Sequence, residues 1–368
     1  MPEMEYHNPV QVLHSQDWLT ACRDQLARLN IQHPLIITSN GGLHRLRLAA
    51  RFPGTGIFSN VAPNPTLANC QEAVVFSLSN AFDGAVAIGG GSVMDTAKCM
   101  LAARGTGKAQ IRELLALNEP FPQRVPSVFI PTTHGTASEV TMWGTLWDLE
   151  GQVKYSISHP DLYPDVAILD PQLTLSLPMD TSLITTLDAL SHSFEAIWNK
   201  HANRTSTTHA LHAIALILAN APRLKEHPED IEVRRQLLTA ATTAGLAFSN
   251  TRTAAAHSIS YPLTIHFGIP HGLAASIALP PLLEINAPAI QVTLDTLFQD
   301  LALSGLEQLK VKIKEIPADH IPFRLRDWGV ERSQLDWLTG QCFTRGRMDN
   351  NIVALTPEQV RSILEEIY

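Results

Sequence analysis

Four short apolar runs punctuate the first half of the chain: Pro34–Thr38 (PLIIT), Gly84–Ile88 (GAVAI), Val125–Ile130 (VPSVFI) and Asp165–Leu169 (DVAIL). Each closes on turn chemistry, respectively Ser39-Asn40-Gly41-Gly42, Gly89-Gly90-Gly91-Ser92, Pro131-Thr132-Thr133 and Asp170-Pro171. Unalternating runs of this length read as parallel strands buried on both faces. Helical patterns lie between them, as at Ser92–Ala103. Residues 1–177 are therefore expected to form an α/β domain with helices on both faces of a sheet. Beyond Pro178 the strand pattern fades. Asp180–Trp198, Ser206–Asn220, Glu232–Ala247 and Thr356–Ile367 carry apolar residues at three- and four-residue spacing. Residues 178–368 are expected to be helical.

Composition narrows the function. The 368 residues are 45% hydrophobic and 17% charged, as in a packed globular chain rather than a disordered one. A net charge of −8 disfavours a nucleic-acid binder, which needs cations for phosphates. Cys22, Cys70, Cys99 and Cys342 show no CxxC spacing, which leaves neither a zinc knuckle nor a disulfide framework. Scattered thiols fit a reducing cytoplasm. The amino terminus lacks the basic-then-apolar pattern of a secretory signal, and no run is long enough for a membrane span. A cytoplasmic protein is expected.

Two turns carry candidate ligand chemistry. In AIGGGSVMDTAKCM the glycines let backbone amides approach an anion, and Ser92 is placed to cap the following helix. The helix end favours a pyrophosphate. The GxGxxG fingerprint is absent, so a glycine-rich turn without a ligand stays open. Thr132, Thr133, Thr136 and Ser138 make the next turn rich in hydroxyls, with Glu139 in an expected first helical turn. Two such turns at the ends of adjacent strands suit a dinucleotide.

Asp188 and His192 stand four apart on a helical pattern, on one face, able to share an ion. His257 and His271 are fourteen apart with Pro262, Gly268 and Pro270 between them, which calls for helix, turn and second helix. One carboxylate and three imidazoles suit Fe²⁺ or Zn²⁺ rather than Ca²⁺, without choosing between the first two. Spacing alone also admits His266, or a purely structural Asp188/His192 pair.

Four ordered blocks resemble the iron-dependent (group III) alcohol dehydrogenases nearly end to end. They are Gly89–Ser92 with Asp95 and Lys98, PTTHGTASEVT at 131–141, DALSHSFEA at 188–196, and HSISYPLTIHFGIPHG at 257–272. The resemblance implies a dehydroquinate-synthase-like fold: an α/β nucleotide-binding domain followed by an all-α metal domain. It implies metal ligation by Asp188, His192, His257 and His271, with Asp188 and His271 also catalytic. It implies cofactor contacts from Asn64, Gly90, Gly91, Ser92, Asp95, Thr132, Thr133, Thr136 and Lys154. It further implies a homodimer acting on a small aldehyde or alcohol, with Fe²⁺ or Zn²⁺ and NAD(H) or NADP(H).

Three departures refine that expectation. Many NAD-specific members have an Asp after the first strand; here Ser39 and Asn40 stand there, with His44 and Arg45 nearby. Without the carboxylate a 2′-phosphate meets no like charge, so NADP(H) is expected to be accepted and preferred. Tyr261 replaces a histidine assigned to proton relay, and becomes the candidate relay itself. Trp143 replaces a small polar contact.

A finer resemblance is to the phosphonoacetaldehyde reductases, through SFEAIWNKHAN at 193–203, NTRTAAAHSISYP at 250–262 and FTRGRMDNNIVALTPEQVRSIL at 343–364. Arg252, Arg345 and Arg347 offer guanidinium forks for a phosphonate or sulfonate. Reduction of phosphonoacetaldehyde to 2-hydroxyethylphosphonate is thus expected, placing the chain in phosphonate metabolism. Sulfoacetaldehyde reduction, a broad aldehyde reductase, and a metal- and NAD-dependent cyclase of the dehydroquinate-synthase type are the competing readings.

Overall fold

The computed structural model describes residues 5–368. The amino-terminal reading falls partly on residues 1–4, which lie outside the described residues. The chain forms two compact units, one of Pro9–Thr133 with Ala137–Thr174, the other of Leu175–Tyr368 with His134–Thr136 and a segment ending at Asn8.

The first unit is built on a parallel sheet. Its strands are β1 (Gln11–His14), β2 (Pro34–Ile37), β3 (Gly56–Phe58), β4 (Gly84–Gly89), β5 (Ser127–Pro131) and β8 (Val166–Leu169), in the order β1-β8-β5-β4-β2-β3. The four apolar runs are β2, β4, β5 and β8. Alternate residues feed opposite layers. Leu35, Ile37, Ala85, Ala87 and Phe129 join one core with helices Leu67–Ser79 and Gly91–Thr106. Ile36, Val86, Ile88, Val128, Ile130, Val166 and Ile168 join the other with helix Trp18–Arg28. Burial on both faces explains why these strands are unbroken apolar runs. A separate antiparallel hairpin, β6 (Trp143–Asp148) with β7 (Val153–Ser158), follows β5.

The strand order reverses between β2 and β4, where open α/β sheets bind ligands. Thr38 Oγ1 donates to Ile88 O at 2.8 Å there, tying the end of β2 to the end of β4.

The second unit is helical. Met179–Ile197 is its central helix, almost wholly buried from Thr186 onward, and packs against Arg204–Glu226, Ile231–Thr251, Ala255–Phe267 and His271–Ile277. Asn203 with Ser206, and Thr356 with Gln359, form capping boxes on their helices, and Asp230 caps Ile231–Thr251. Pro262 lies inside helix Ala255–Phe267; the break before His271 comes at Gly268, with φ +66°. Among the described residues no helix is long and apolar enough to cross a membrane.

Candidate metal centre and cofactor turn

Sterics shape the glycine turn. A Cβ on Gly89 would lie 2.5 Å from Val93 Cγ2, and one on Gly90 would lie 3.1 Å from Thr133 Cγ2, so β4, its helix and the β5 turn close together only over glycine. Thr132 N donates to Gly89 O at 3.0 Å, stitching the two turns. Gly90, not Ser92, is the cap of helix Gly91–Thr106, and no side chain caps it. Ser92 Oγ instead accepts Asn64 N at 3.1 Å, with Asn64 held at φ +50°. The expected role of Ser92 as cap is corrected: inside the first turn, its hydroxyl serves the neighbouring loop. The Gly91 and Ser92 amides precede the first intrahelical bonds, which begin at Val93 N.

Behind the turn, Lys98 Nζ donates to Ser138 O and Oγ, both at 2.8 Å, to Thr141 Oγ1 at 3.1 Å and to Trp143 O at 2.6 Å. Burial lowers its pKa to about 8 against the opposing pull of Asp95 and Glu139. Ser138 Oγ also donates to Asp95 Oδ1 at 2.9 Å. Burial raises the Asp95 pKa, while Lys98, Ser138 and Lys154 oppose it. Asn64, Gly90–Ser92, Asp95, Thr132, Thr133 and Lys154 thus share one region. Ser39 caps the short helix Asn40–Arg45, accepting Gly42 N at 3.1 Å, and Asn40 is the first residue of that helix. Residues Ser138–Val140 form a 3-10 turn rather than the expected helix start.

Thr136 lies in the helical unit with His134. The buried His134 ring is held from both sides. Its Nδ1 lies 3.3 and 3.2 Å from Thr185 and Thr186 Oγ1, and its Nε2 lies 3.4 Å from Arg234 Nη1. Both threonine hydroxyls donate to Ser182 O, and arginine only donates. Nδ1 therefore carries the proton and Nε2 accepts. Burial, then Arg234, lowers the His134 pKa to about 3.

In the helical unit, ligand atoms of Asp188, His192 and His257 all lie within 4.8 Å of one another, and all three residues are buried. The His192 ring is stacked between Phe248, at 4.0 Å, and His257, at 4.6 Å. Asp188 Oδ1 and His257 Nε2 face each other at 3.6 Å, both buried and neither in a hydrogen bond. Two buried polar atoms left that way fit a cation that both would hold. Burial alone would raise the Asp188 pKa; His192, His257 and His271 outweigh it and hold the carboxyl well below its ordinary range. For His257 burial is likewise outweighed, by Glu195 and Asp188, and its pKa rises to about 9.

His271 stands outside that tight trio but beside it, its ring centroid 5.2 Å from that of His257. Gly272 brings it there, because a Cβ would lie 2.4 Å from Ile184 O and 2.7 Å from Asp188 Cβ. Tyr261 stacks on His271 with centroids 6.1 Å apart, and its Oη accepts Arg347 Nε at 3.2 Å. Partial burial, then the field of the Arg347 cation, lowers the Arg252 pKa. Arg252 sits at φ +64°, its carbonyl accepting Asn199 Nδ2 at 3.2 Å. Among the described residues neither arginine is ion-paired with a carboxylate. Arg345 lines a cavity of about 390 Å³ with Lys200, Phe343 and Asp349. Glu195, which the sequence reading did not single out, contacts His257 Nδ1.

The chain matches the family profile "Iron-containing alcohol dehydrogenase" over residues 9–171 and "Fe-containing alcohol dehydrogenase family, C-terminal" over residues 182–368. It is 31% identical to long-chain-alcohol dehydrogenase 1 of Geobacillus thermodenitrificans over 363 residues, covering 94% of this chain and 91% of that one. It is 30% identical to the 1,3-propanediol dehydrogenase of Klebsiella pneumoniae, covering 89% and 86%. Sulfoacetaldehyde reductase from Bifidobacterium kashiwanohense, solved with NAD⁺, superposes with TM-score 0.91 at 25% identity over 98% of each chain. These matches, together with the buried Asp188/His192/His257 cluster, define an alcohol dehydrogenase whose family implies the use of iron and NAD(H). The chain belongs to the iron-containing alcohol dehydrogenase family.

Proposed function

We propose that this enzyme reduces a small anionic aldehyde to its alcohol, with phosphonoacetaldehyde as the favoured substrate and NADPH as the favoured cofactor. The observation that carries the reading is Arg347: among the described residues it has no carboxylate partner, it donates to a tyrosine that stacks on His271, and its charge is felt by Arg252, which likewise lacks a carboxylate there. Unneutralised guanidinium pairs suit phosphonate or sulfonate oxygens. Sulfoacetaldehyde is the second reading, favoured by the likeness to a sulfoacetaldehyde reductase. Arg345, which lines a cavity two residues before Arg347 in the chain, is kept as a third candidate for the anion.

Asp188, His192, His257 and His271 would hold the divalent ion, iron or zinc, and the amides of Gly91 and Ser92 would hold the cofactor pyrophosphate. When bound, the ion supplies Lewis acidity and the nicotinamide supplies hydride. Arg252 and Arg347 hold the anionic end of the substrate and so orient its carbonyl. Tyr261 Oη holds the proton that the product oxygen takes up, and Arg347 fixes the direction of that hydroxyl. Homodimer assembly belongs to the same proposal.

The test is kcat/KM for phosphonoacetaldehyde, sulfoacetaldehyde and acetaldehyde with NADPH and NADH. A preference for an anionic aldehyde of about 100-fold or more is expected, matching two charge-assisted contacts. Equal values for acetaldehyde and both anions would sink the anion reading, and a clear NADH preference would sink the NADPH one.

A further inference from the structure

We infer that Glu195 is a positioning residue for the metal centre: it fixes the tautomer of His257 and anchors the start of the helix that carries it. Glu195 is completely buried. It stands seven residues after Asp188 and three after His192 on helix Met179–Ile197, so all three side chains share one helix face. Its Oε1 accepts Ala254 N at 2.9 Å and His257 N at 3.0 Å. Its Oε2 takes the His257 Nδ1 contact.

Each bond has a separate consequence. Helix Ala255–Phe267 begins at Ala254, which offers no side-chain cap. Glu195 caps it from another helix, satisfying two amides that would otherwise be stranded in a buried first turn. A carboxylate can only accept, so Nδ1 of His257 carries a proton in either ionisation state, and Nε2 is the nitrogen left to offer a lone pair when an ion is bound. Nε2 faces Asp188 Oδ1 at 3.6 Å. The imidazole is thus clamped between two carboxylates of the same helix, one on each ring nitrogen. An imidazole hydrogen-bonded to a carboxylate is also a stronger donor to a cation. Asp188 and Glu195 together bring two negative charges, which balance one divalent ion in a buried place. The inference rests on the metal reading and not on the substrate.

The test is metal affinity of the full-length protein, read by titrating Zn²⁺ into apo-enzyme against a chelator of known strength. Glu195→Gln keeps the size but loses the charge, and its single carbonyl oxygen cannot serve both the backbone amides and the ring. Affinity should fall by about 10- to 100-fold. Co²⁺ loaded in place of Zn²⁺ should show a shifted visible spectrum, while NADPH binding stays within about twofold of the parent. A purely structural role would lower apo-protein stability and leave both metal readouts unmoved. Zn²⁺ affinity within twofold of the parent overturns the proposal. Should Glu195→Gln fail to fold, Glu195→Asp keeps the charge and draws the carboxylate back by one methylene, and a loss of about tenfold or more is again expected. An Asp188→Asn variant that binds Zn²⁺ like the parent overturns the ligand set, and this inference with it.

Discussion

Arg347 Nε donates to Tyr261 Oη at 3.2 Å, and the Tyr261 ring stacks on that of His271. An arginine and a tyrosine joined in this way divide the proposed work between an anion and a proton. Tyr261→Phe keeps the stacked ring and removes only the hydroxyl. Its kcat should fall by about 100-fold or more with metal content unchanged, as loss of a general acid predicts. Undiminished kcat across the pH range would remove Tyr261 from the chemistry.

Arg252→Gln separates the anion from the proton, because it is Arg347 that donates to Tyr261 Oη. One charged hydrogen bond contributes about 1.5–3 kcal/mol, so kcat/KM for phosphonoacetaldehyde should drop by about 10- to 100-fold. For acetaldehyde the same variant should stay within about threefold. Parallel losses on both substrates would mean that the left-handed backbone at Arg252, and not its charge, is what the site needs.

Helix packing at the metal centre hinges on one missing methyl. Gly272→Ala would set a Cβ 2.4 Å from Ile184 O and 2.7 Å from Asp188 Cβ, where backbone must move. A cost of about 1–3 kcal/mol is expected, together with metal lost more readily to a chelator, because His271 is the preceding residue. Gly340 is the control. It is exposed within helix Leu335–Gln341, and nothing lies within 4 Å of a Cβ built on it. Gly340→Ala should be neutral or stabilise by about 0.4–1 kcal/mol. Paired thermal melts and metal analysis decide.

Much of this site is legible in the chain, and the exceptions have physical causes. Asp188 and His192 declare themselves by local spacing, since one helix turn sets their distance. Glu195 does not, because its partner lies 62 residues away and only the packing of two helices joins them. Proline misleads at Pro262, which helix Ala255–Phe267 absorbs. Ser92 looks like a cap because Ser commonly is one, yet Thr133 crowds Gly90 and the helix starts there. The hairpin β6/β7 was not visible: VKYSIS is polar and only half buried, with little apolar contrast to read.

Acid should expose the buried His134. Its folded pKa of about 3 lies below the 6.5 of an unfolded histidine, so between those values the unfolded chain binds the extra proton. The stability that this neutral ring contributes is complete above pH 6.5 and is lost as pH falls toward 3. Between pH 6.5 and 5 the loss is about 2 kcal/mol. His134→Gln can still donate to the threonines and accept from Arg234, but it does not titrate. Its stability should fall less steeply over that interval, by about one proton in the slope. Identical slopes in urea unfolding at pH 7, 6 and 5 would show that His134 is not the group responsible.

Cofactor choice can be probed without touching stability. Ser39 caps helix Asn40–Arg45 through a hydrogen bond from Gly42 N, and aspartate caps helices as well as serine does. Ser39→Asp should therefore leave the melting temperature unchanged within about 2 °C. It adds a negative charge at the end of β2, where an adenosine ribose would lie beside the glycine turn. Like charges about 4 Å apart cost about 1–4 kcal/mol between water and a protein surface. The kcat/KM for NADPH should then fall by about tenfold or more, while that for NADH holds or rises through a bond to the ribose hydroxyl. Since the fold is indifferent to the change, a shift in selectivity has no source but the 2′-phosphate. If NADPH and NADH respond alike, the ribose does not sit at Ser39, and the absence of a carboxylate there says nothing about the cofactor.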